Sequence, residues 1–166
     1  MKRLLIATIL LFSPLFAASQ LKHFHIDLSS QEGEWICTKN EMRKGRYYQI
    51  WTRTDLSEDI EAENIYIISS PTSNGENPNM KRLMRNSLFP VKYMPGTRTS
   101  IQKESENEAL FEWHTPSGHQ AVVRLLVEPD AYHTVSHMRK GREKLSEEEI
   151  AQRSAFLDTL KLTFSK

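Results

Sequence analysis

The side chains in this sequence best suited to chemistry are its six histidines, which fall in pairs. His114 and His119 flank Thr115-Pro116-Ser117-Gly118, a turn-forming tetrapeptide between two runs of strand composition. On facing strands the two imidazoles would stand opposite one another. With Glu112 nearby they form the candidate metal ligands, and zinc is the ion that such a donor set suits. His133 and His137 are four residues apart, the spacing that binds zinc on a helix. However, His133-Thr134-Val135-Ser136-His137 lacks the glutamate that follows the first histidine of metalloprotease motifs. Its composition reads as a strand, where the two rings face the same way about 13 Å apart, too far to share one ion. His23 and His25 alternate with Phe24 and Ile26 and share the outer face of a short strand.

No motif assigns a catalytic residue. The chain has no Gly-x-Ser-x-Gly elbow, no phosphate loop and no dinucleotide fingerprint. Its carboxylates gather where helices are expected to begin, at Glu58-Asp59 and at Glu147-Glu148-Glu149, where they suit the helix dipole. Arg139, Lys140, Arg142 and Lys144 place four cations just before the last helix, with Lys81, Arg82 and Arg85 on an earlier one. They are a candidate anion-binding patch for an acidic partner or an anionic lipid surface, with binding expected to weaken in salt. Cys37 is the only cysteine. It lies in the strand-like run Trp35-Ile36-Cys37-Thr38, which leads to an expectation of burial as a small apolar side chain.

These residues must be held by a chain with a distinctive start. Met1-Lys2-Arg3 is basic, residues 4–16 are apolar, and Ala17-Ala18-Ser19 supplies small side chains before Gln20. This is the pattern of a cleavable secretory signal, cut before Gln20, and it implies a periplasmic or secreted protein of bacterial type. The apolar run is shorter than the ~20 residues of a bilayer span, and no later segment is apolar enough to cross one. Residues 20–166 then form one domain of about 150 residues. The formal charge of +1 turns slightly negative once Lys2 and Arg3 are removed. Such a balance argues against general nucleic-acid binding, which needs a basic surplus. A single cysteine cannot brace the fold internally, so the hydrophobic core must hold it.

Alternation and aromatic content predict short strands at residues 23–28 and 35–38, and a longer one at 47–53. Asp55 and Glu58 have capping-box spacing, and Ile60, Ile67 and Ile68 can share a helical side, which predicts a helix over residues 55–69. Met80, Leu83, Met84 and Leu88 form an apolar stripe behind Pro78 and predict a second helix. Four strands follow at 97–104, 109–114, 120–128 and 132–138. The hairpin register expected for them sets Trp113 near Gln120 and Phe111 near Val122. Ser146 with Glu149 opens a last helix carrying Ile150, Leu157 and Leu160.

The resulting fold class is α+β: an antiparallel sheet of three short N-terminal strands plus a four-strand meander, covered by two central helices and one C-terminal helix. The order of the aromatic strand Tyr47-Tyr48-Gln49-Ile50-Trp51, the helical middle, the strand Phe111-Glu112-Trp113 and the closing Phe156-Leu157-Asp158-Thr159-Leu160 resembles the Mog1/PsbP-like proteins. That resemblance implies a small exported accessory or binding module. It carries no functional residues with it. Both lines lead to a non-enzymatic binding or accessory protein for a protein partner or small ligand. The alternatives are a small hydrolase, possibly metal-assisted, built around His114, His119 and nearby carboxylates, and a secreted factor acting on a host.

Overall fold

The computed structural model describes residues 21–29, 31–72, 79–88, 91 and 93–164; the export segment read at residues 1–19 lies outside them. Among the described residues there are nine strands and two helices. In chain order these are β1 (Lys22–His25), β2 (Trp35–Arg43), β3 (Arg46–Arg53), β4 (Ile60–Pro71), α1 (Met80–Ser87), β5 (Arg98–Glu104), β6 (Glu108–His114), β7 (His119–Glu128), β8 (Ala131–Gly141), α2 (Glu147–Thr159) and β9 (Lys161–Phe164). Seven strands make one antiparallel sheet in the order β2-β3-β4-β8-β7-β6-β5, while β1 pairs with β9 in a separate ribbon. Two meanders, β2-β3-β4 and β5-β6-β7-β8, are thus joined edge to edge where β4 meets β8. None of the helices is long and apolar enough to cross a membrane, among the described residues.

The sheet buries both of its faces at β6 and β7, while the edge strands β2 and β5 are largely exposed. On one face, α2 and the β1–β9 ribbon set Phe24, Phe156, Leu157 and Leu160 against Ile65, Ile67, Val122 and Val135. On the other, α1 presents Met80, Leu83 and Met84 to Phe111, Trp113, Val123 and Leu125. β7 lies between the two layers, which explains its nearly continuous apolar sequence.

This mostly β architecture overturns the expected α+β arrangement of three helices over a sheet of three N-terminal strands and a four-strand meander, and two segments cause it. Residues 60–71 are a strand at the centre of the sheet, not a helix. Glu63, Ile65, Ile67 and Ser69 all point to the α2 side and are buried, while Asn64, Tyr66 and Ile68 alternate with them on the other side. That is a period of two. It is masked in the sequence because the first inward position is a glutamate, whose charge reads as solvent-facing. Asp55 does not cap a helix. Its Oδ1 accepts from the Glu34 backbone N–H at 2.8 Å and from Arg53 Nε at 2.8 Å, tying the start of β2 to the end of β3. The first strand also leaves the main sheet, because β9 follows α2 and pairs with β1.

The last helix opens as its sequence indicates. Ser146 Oγ accepts from the Glu149 N–H at 3.2 Å, and Glu149 Oε2 accepts from the Ser146 N–H at 2.7 Å. The other end of α2 has no basic residue in its last turn. Arg124, reaching from β7, takes that place. Its Nη1 donates to the carbonyls of Leu157 at 2.8 Å, Asp158 at 3.1 Å and Leu160 at 2.9 Å, and its Nε donates to Glu108 at 2.9 Å. A cation on the carbonyls of a helix C-terminus is doubly favoured, by hydrogen bonding and by the dipole. Arg124→Met keeps much of the apolar stem but takes the charged donor from these carbonyls, of which only that of Leu157 keeps the Leu160 N–H, and should lower the unfolding free energy in urea by about 2–3 kcal/mol. A loss below about 0.5 kcal/mol would show that Arg124 does not anchor α2.

The hairpin turn falls at Thr115–Gly118, and Gly118 (φ +83°) sits so close to the Gly141 carbonyl that a Cβ there would clash. Its register differs by one residue from the expected one: Trp113 pairs with Ala121, Phe111 with Val123 and His114 with Gln120. A one-residue slip transfers side chains between faces. Cys37, expected in the core, is exposed, because β2 is an edge strand and bulges between Cys37 and Lys39.

A candidate ligand cleft beside the second helix

On the α2 side of the sheet the apolar core gives way, near the start of α2, to a set of charged side chains. β3 contributes Arg53, β4 contributes Glu63, and β8 contributes His137 and Arg139. All lie on one face, since Thr52 pairs with Asn64, Ile65 with His137 and Glu63 with Arg139. α2 adds Glu149, Gln152 and Arg153, whose spacing of three and four places them on one side of the helix. Gln120 of β7 fixes the approach to that helix: its amide donates to the Glu143 carbonyl at 2.8 Å and accepts from the Leu145 N–H at 2.8 Å. Between these elements and the segment Gln31–Trp35 runs a cleft of about 400 Å³.

Glu63 is its anchor, at 2% exposure. Oε1 accepts from Arg153 Nη2 at 2.6 Å and from His137 Nε2 at 2.8 Å, and Oε2 accepts from Arg53 Nη1 at 3.2 Å. Burial opposes ionisation of this carboxyl, but the His137 hydrogen bond and the two guanidinium groups outweigh it and hold the pKa down at about 2. His137, 3% exposed, goes the opposite way from a normal partner of a carboxylate. Burial, with the charges of Arg153 and Arg53, outweighs the pull of Glu63 and lowers its pKa to about 4. At neutral pH the ring is therefore neutral. Because a carboxylate can only accept, the imidazole proton lies on Nε2, and Nδ1 keeps a free lone pair.

Three polar atoms of cleft residues are buried with no hydrogen-bond partner among the described residues: His137 Nδ1, Arg153 Nη1 and Arg139 Nε. Arg139 is otherwise held by Glu149 at 3.0 Å and the Glu143 carbonyl at 2.9 Å. Trp35 forms an aromatic wall, edge-to-face with His137 at 5.7 Å, its indole N–H on the Glu32 carbonyl at 3.1 Å. Unpaired buried polar atoms are costly, and of the eight side-chain atoms buried without a partner among the described residues these three are on residues that line one cleft.

The residues singled out in the sequence are distributed differently. His114 pairs with Gln120 on the α2 side, and His119, one residue earlier in β7, is on the α1 side; the sheet lies between their rings. His114 borders a pocket of about 120 Å³ with Glu112 and Lys144, its pKa lowered by burial and by Lys144 and Arg98. His119 Nδ1 is 3.2 Å from Ser117 Oγ. Among the described residues no three His, Cys, Asp or Glu side chains are grouped to hold a metal ion. The basic run is likewise divided. Arg139 turns into the cleft, Lys140 pairs with Glu61 on the far face, and Arg142 and Lys144 are exposed. His133 is buried beside Val135, its Nδ1 2.9 Å from Ser69 Oγ.

Glu63, Arg53 and Arg153 were not legible as site residues, because Glu63 fell in a segment read as helix. A signal was present in β8. Val135 must face the core, so His133, His137 and Arg139 face it as well, which puts titratable groups where a strand is otherwise apolar. Comparison with known proteins found no matching family model, no similar curated protein and no similar solved structure.

Proposed function

We propose that this is an exported, non-enzymatic binding module whose cleft beside α2 receives a small polar ligand. The observation that carries this reading is the trio of buried unpartnered atoms, two guanidinium donors and one imidazole acceptor, on residues lining one cleft with an aromatic wall. Sites for small ligands have this composition: a concave surface, an apolar wall and a few fixed polar groups. Glu63 serves it as a positioning group. Tied to two arginines, it is far too weak a base for proton transfer at neutral pH. The rival reading, a hydrolase using His114 and His119, draws no support from rings on opposite faces of the sheet.

The export part of the proposal rests on residues 1–19, and the mature chain recovered from expressing cells should begin at Gln20. Action in the periplasm, at the Mog1/PsbP-like accessory level, or outside the cell on a host would each be served by the same cleft. For the cleft itself, a mixture of small polar metabolites added to labelled protein should move the Trp35 indole and the Arg139 and Arg153 Nε–H signals together in ¹H–¹⁵N spectra. Shifts confined to the α1 face, or none, would contradict it.

A further inference from the structure

The unpartnered atoms in the cleft are of both kinds. Arg139 Nε and Arg153 Nη1 are donors, whereas His137 Nδ1, with the ring proton given to Glu63 through Nε2, is an acceptor. A carboxylate would satisfy only the donors, having no proton for the imidazole, whereas a phosphate, which keeps a P–OH at neutral pH, is disfavoured by charge instead. The cleft holds no surplus of positive charge to attract either. Arg53, Arg139 and Arg153 are answered by Asp55, Glu63 and Glu149, and Glu32 stands at the rim. A hydroxyl group donates and accepts at once, so two neighbouring hydroxyls fit both kinds of atom without requiring charge.

The remaining lining agrees. The indole of Trp35 is fixed by its own hydrogen bond and offers an apolar plate. The side-chain amides of Gln31 and Gln152 add further donor–acceptor pairs at the mouth. A flat apolar plate beside alternating donors and acceptors matches a sugar ring, which has C–H faces and a hydroxylated edge. The cleft's roughly 400 Å³ lies within the range of about 300–1,000 Å³ in which such ligands are held.

Building on the cleft as the ligand site, we propose that its ligand is a saccharide of one or two rings, with neighbouring hydroxyls bridging Arg139, Arg153 and His137 and a ring face against Trp35. The test is calorimetric titration of the purified protein with glucose, galactose, N-acetylglucosamine and their β-1,4-linked disaccharides, alongside citrate and inorganic phosphate at matched ionic strength. At least one saccharide is expected to bind with Kd at or below about 1 mM. Trp35→Ala should weaken it about tenfold, a loss of about 1.4 kcal/mol. Because Trp35 is also packed at the start of β2, Gln152→Ala on the exposed side of α2 is the second variant; it should leave the melting temperature unchanged and weaken binding about three- to tenfold, as for one lost hydrogen bond. Saccharide binding indifferent to both substitutions would overturn the proposal. Binding of citrate or phosphate with no saccharide bound would overturn the sugar assignment and leave the cleft as a ligand site. If no probe binds, both readings fall.

Discussion

Glu63→Ala should lower the stability of the fold by about 3–5 kcal/mol, the largest single-residue effect expected outside the apolar core. The reason lies in what remains behind. Glu63 is the acceptor for Arg153 Nη2, Arg53 Nη1 and His137 Nε2, in a position that water scarcely reaches. Its removal leaves two guanidinium charges facing each other in a low-dielectric site, with only Asp55, from the solvent side, still answering Arg53. Arg153 suffers most, since burial already depresses its pKa and Glu63 is the main influence restoring it. Glu63→Gln keeps the shape and one carbonyl acceptor, so its loss should be smaller. Glu63→Leu combined with Arg153→Met removes both buried charges and should recover part of the deficit, because an ion pair exchanged for apolar side chains is often nearly neutral. Urea unfolding of the natural protein and the three variants measures these differences. A Glu63→Ala loss below about 1 kcal/mol would mean that the arginines find other partners and that the cluster is not the anchor described above.

The second large effect is on pH. His137 has a pKa near 4 in the folded protein against an ordinary 6.5, so below 6.5 the unfolded chain takes up a proton that the folded chain refuses. Stability from this group is therefore complete above about pH 6.5 and is lost as the pH falls through about 4. The two values imply a loss of about 3 kcal/mol. Burial depresses His133 in the same direction, with Glu128 opposing, which adds to the slope. Glu63, held at about 2 against 4.5, opens a separate window: its contribution is present above 4.5 and disappears as the pH falls towards 2. The groups facing His137 are Glu63, Arg53 and Arg153, all charged throughout the upper window, so the titrating species there is the imidazole. Unfolding free energies at pH 7 and pH 4.5 should differ strongly for the natural protein. His137→Gln, which can still donate to Glu63 and cannot be protonated, should show a much flatter profile. An equally steep profile in that variant would assign the acid sensitivity elsewhere.

Much of this protein can be read from its residues, and what cannot has physical causes. The strands with clean alternation or aromatic content, the Thr115–Gly118 turn and the Ser146–Glu149 cap are local signals, complete within a few residues. β4 is not local in this sense. Whether Ile65 and Ile67 belong to a strand is decided by β3 and β8 on either side, and the inward Glu63 disguises their alternation until its arginine partners, 10 residues before and 90 after it, are known. The hairpin register turns on a single residue, and that residue decides whether His114 and His119 meet. Exposed edge strands hide from composition too. Trp35-Ile36-Cys37 reads as core, yet β2 has a neighbour on one side only, which leaves Ile36 and Cys37 at the surface.

The proposed binding function depends on one arrangement of protons: a neutral His137 that donates from Nε2 to Glu63 and so keeps Nδ1, like the arginine N–H groups Arg139 Nε and Arg153 Nη1, without a partner among the described residues. The imidazole ¹⁵N and ¹H signals of His137, followed by long-range correlation spectra from pH 8 to pH 4, observe it directly. A neutral ring protonated on Nε2 at pH 7, with its titration midpoint near 4, is the result expected. An imidazolium at pH 7, or a neutral ring carrying its proton on Nδ1, would contradict the arrangement and the binding function drawn from it.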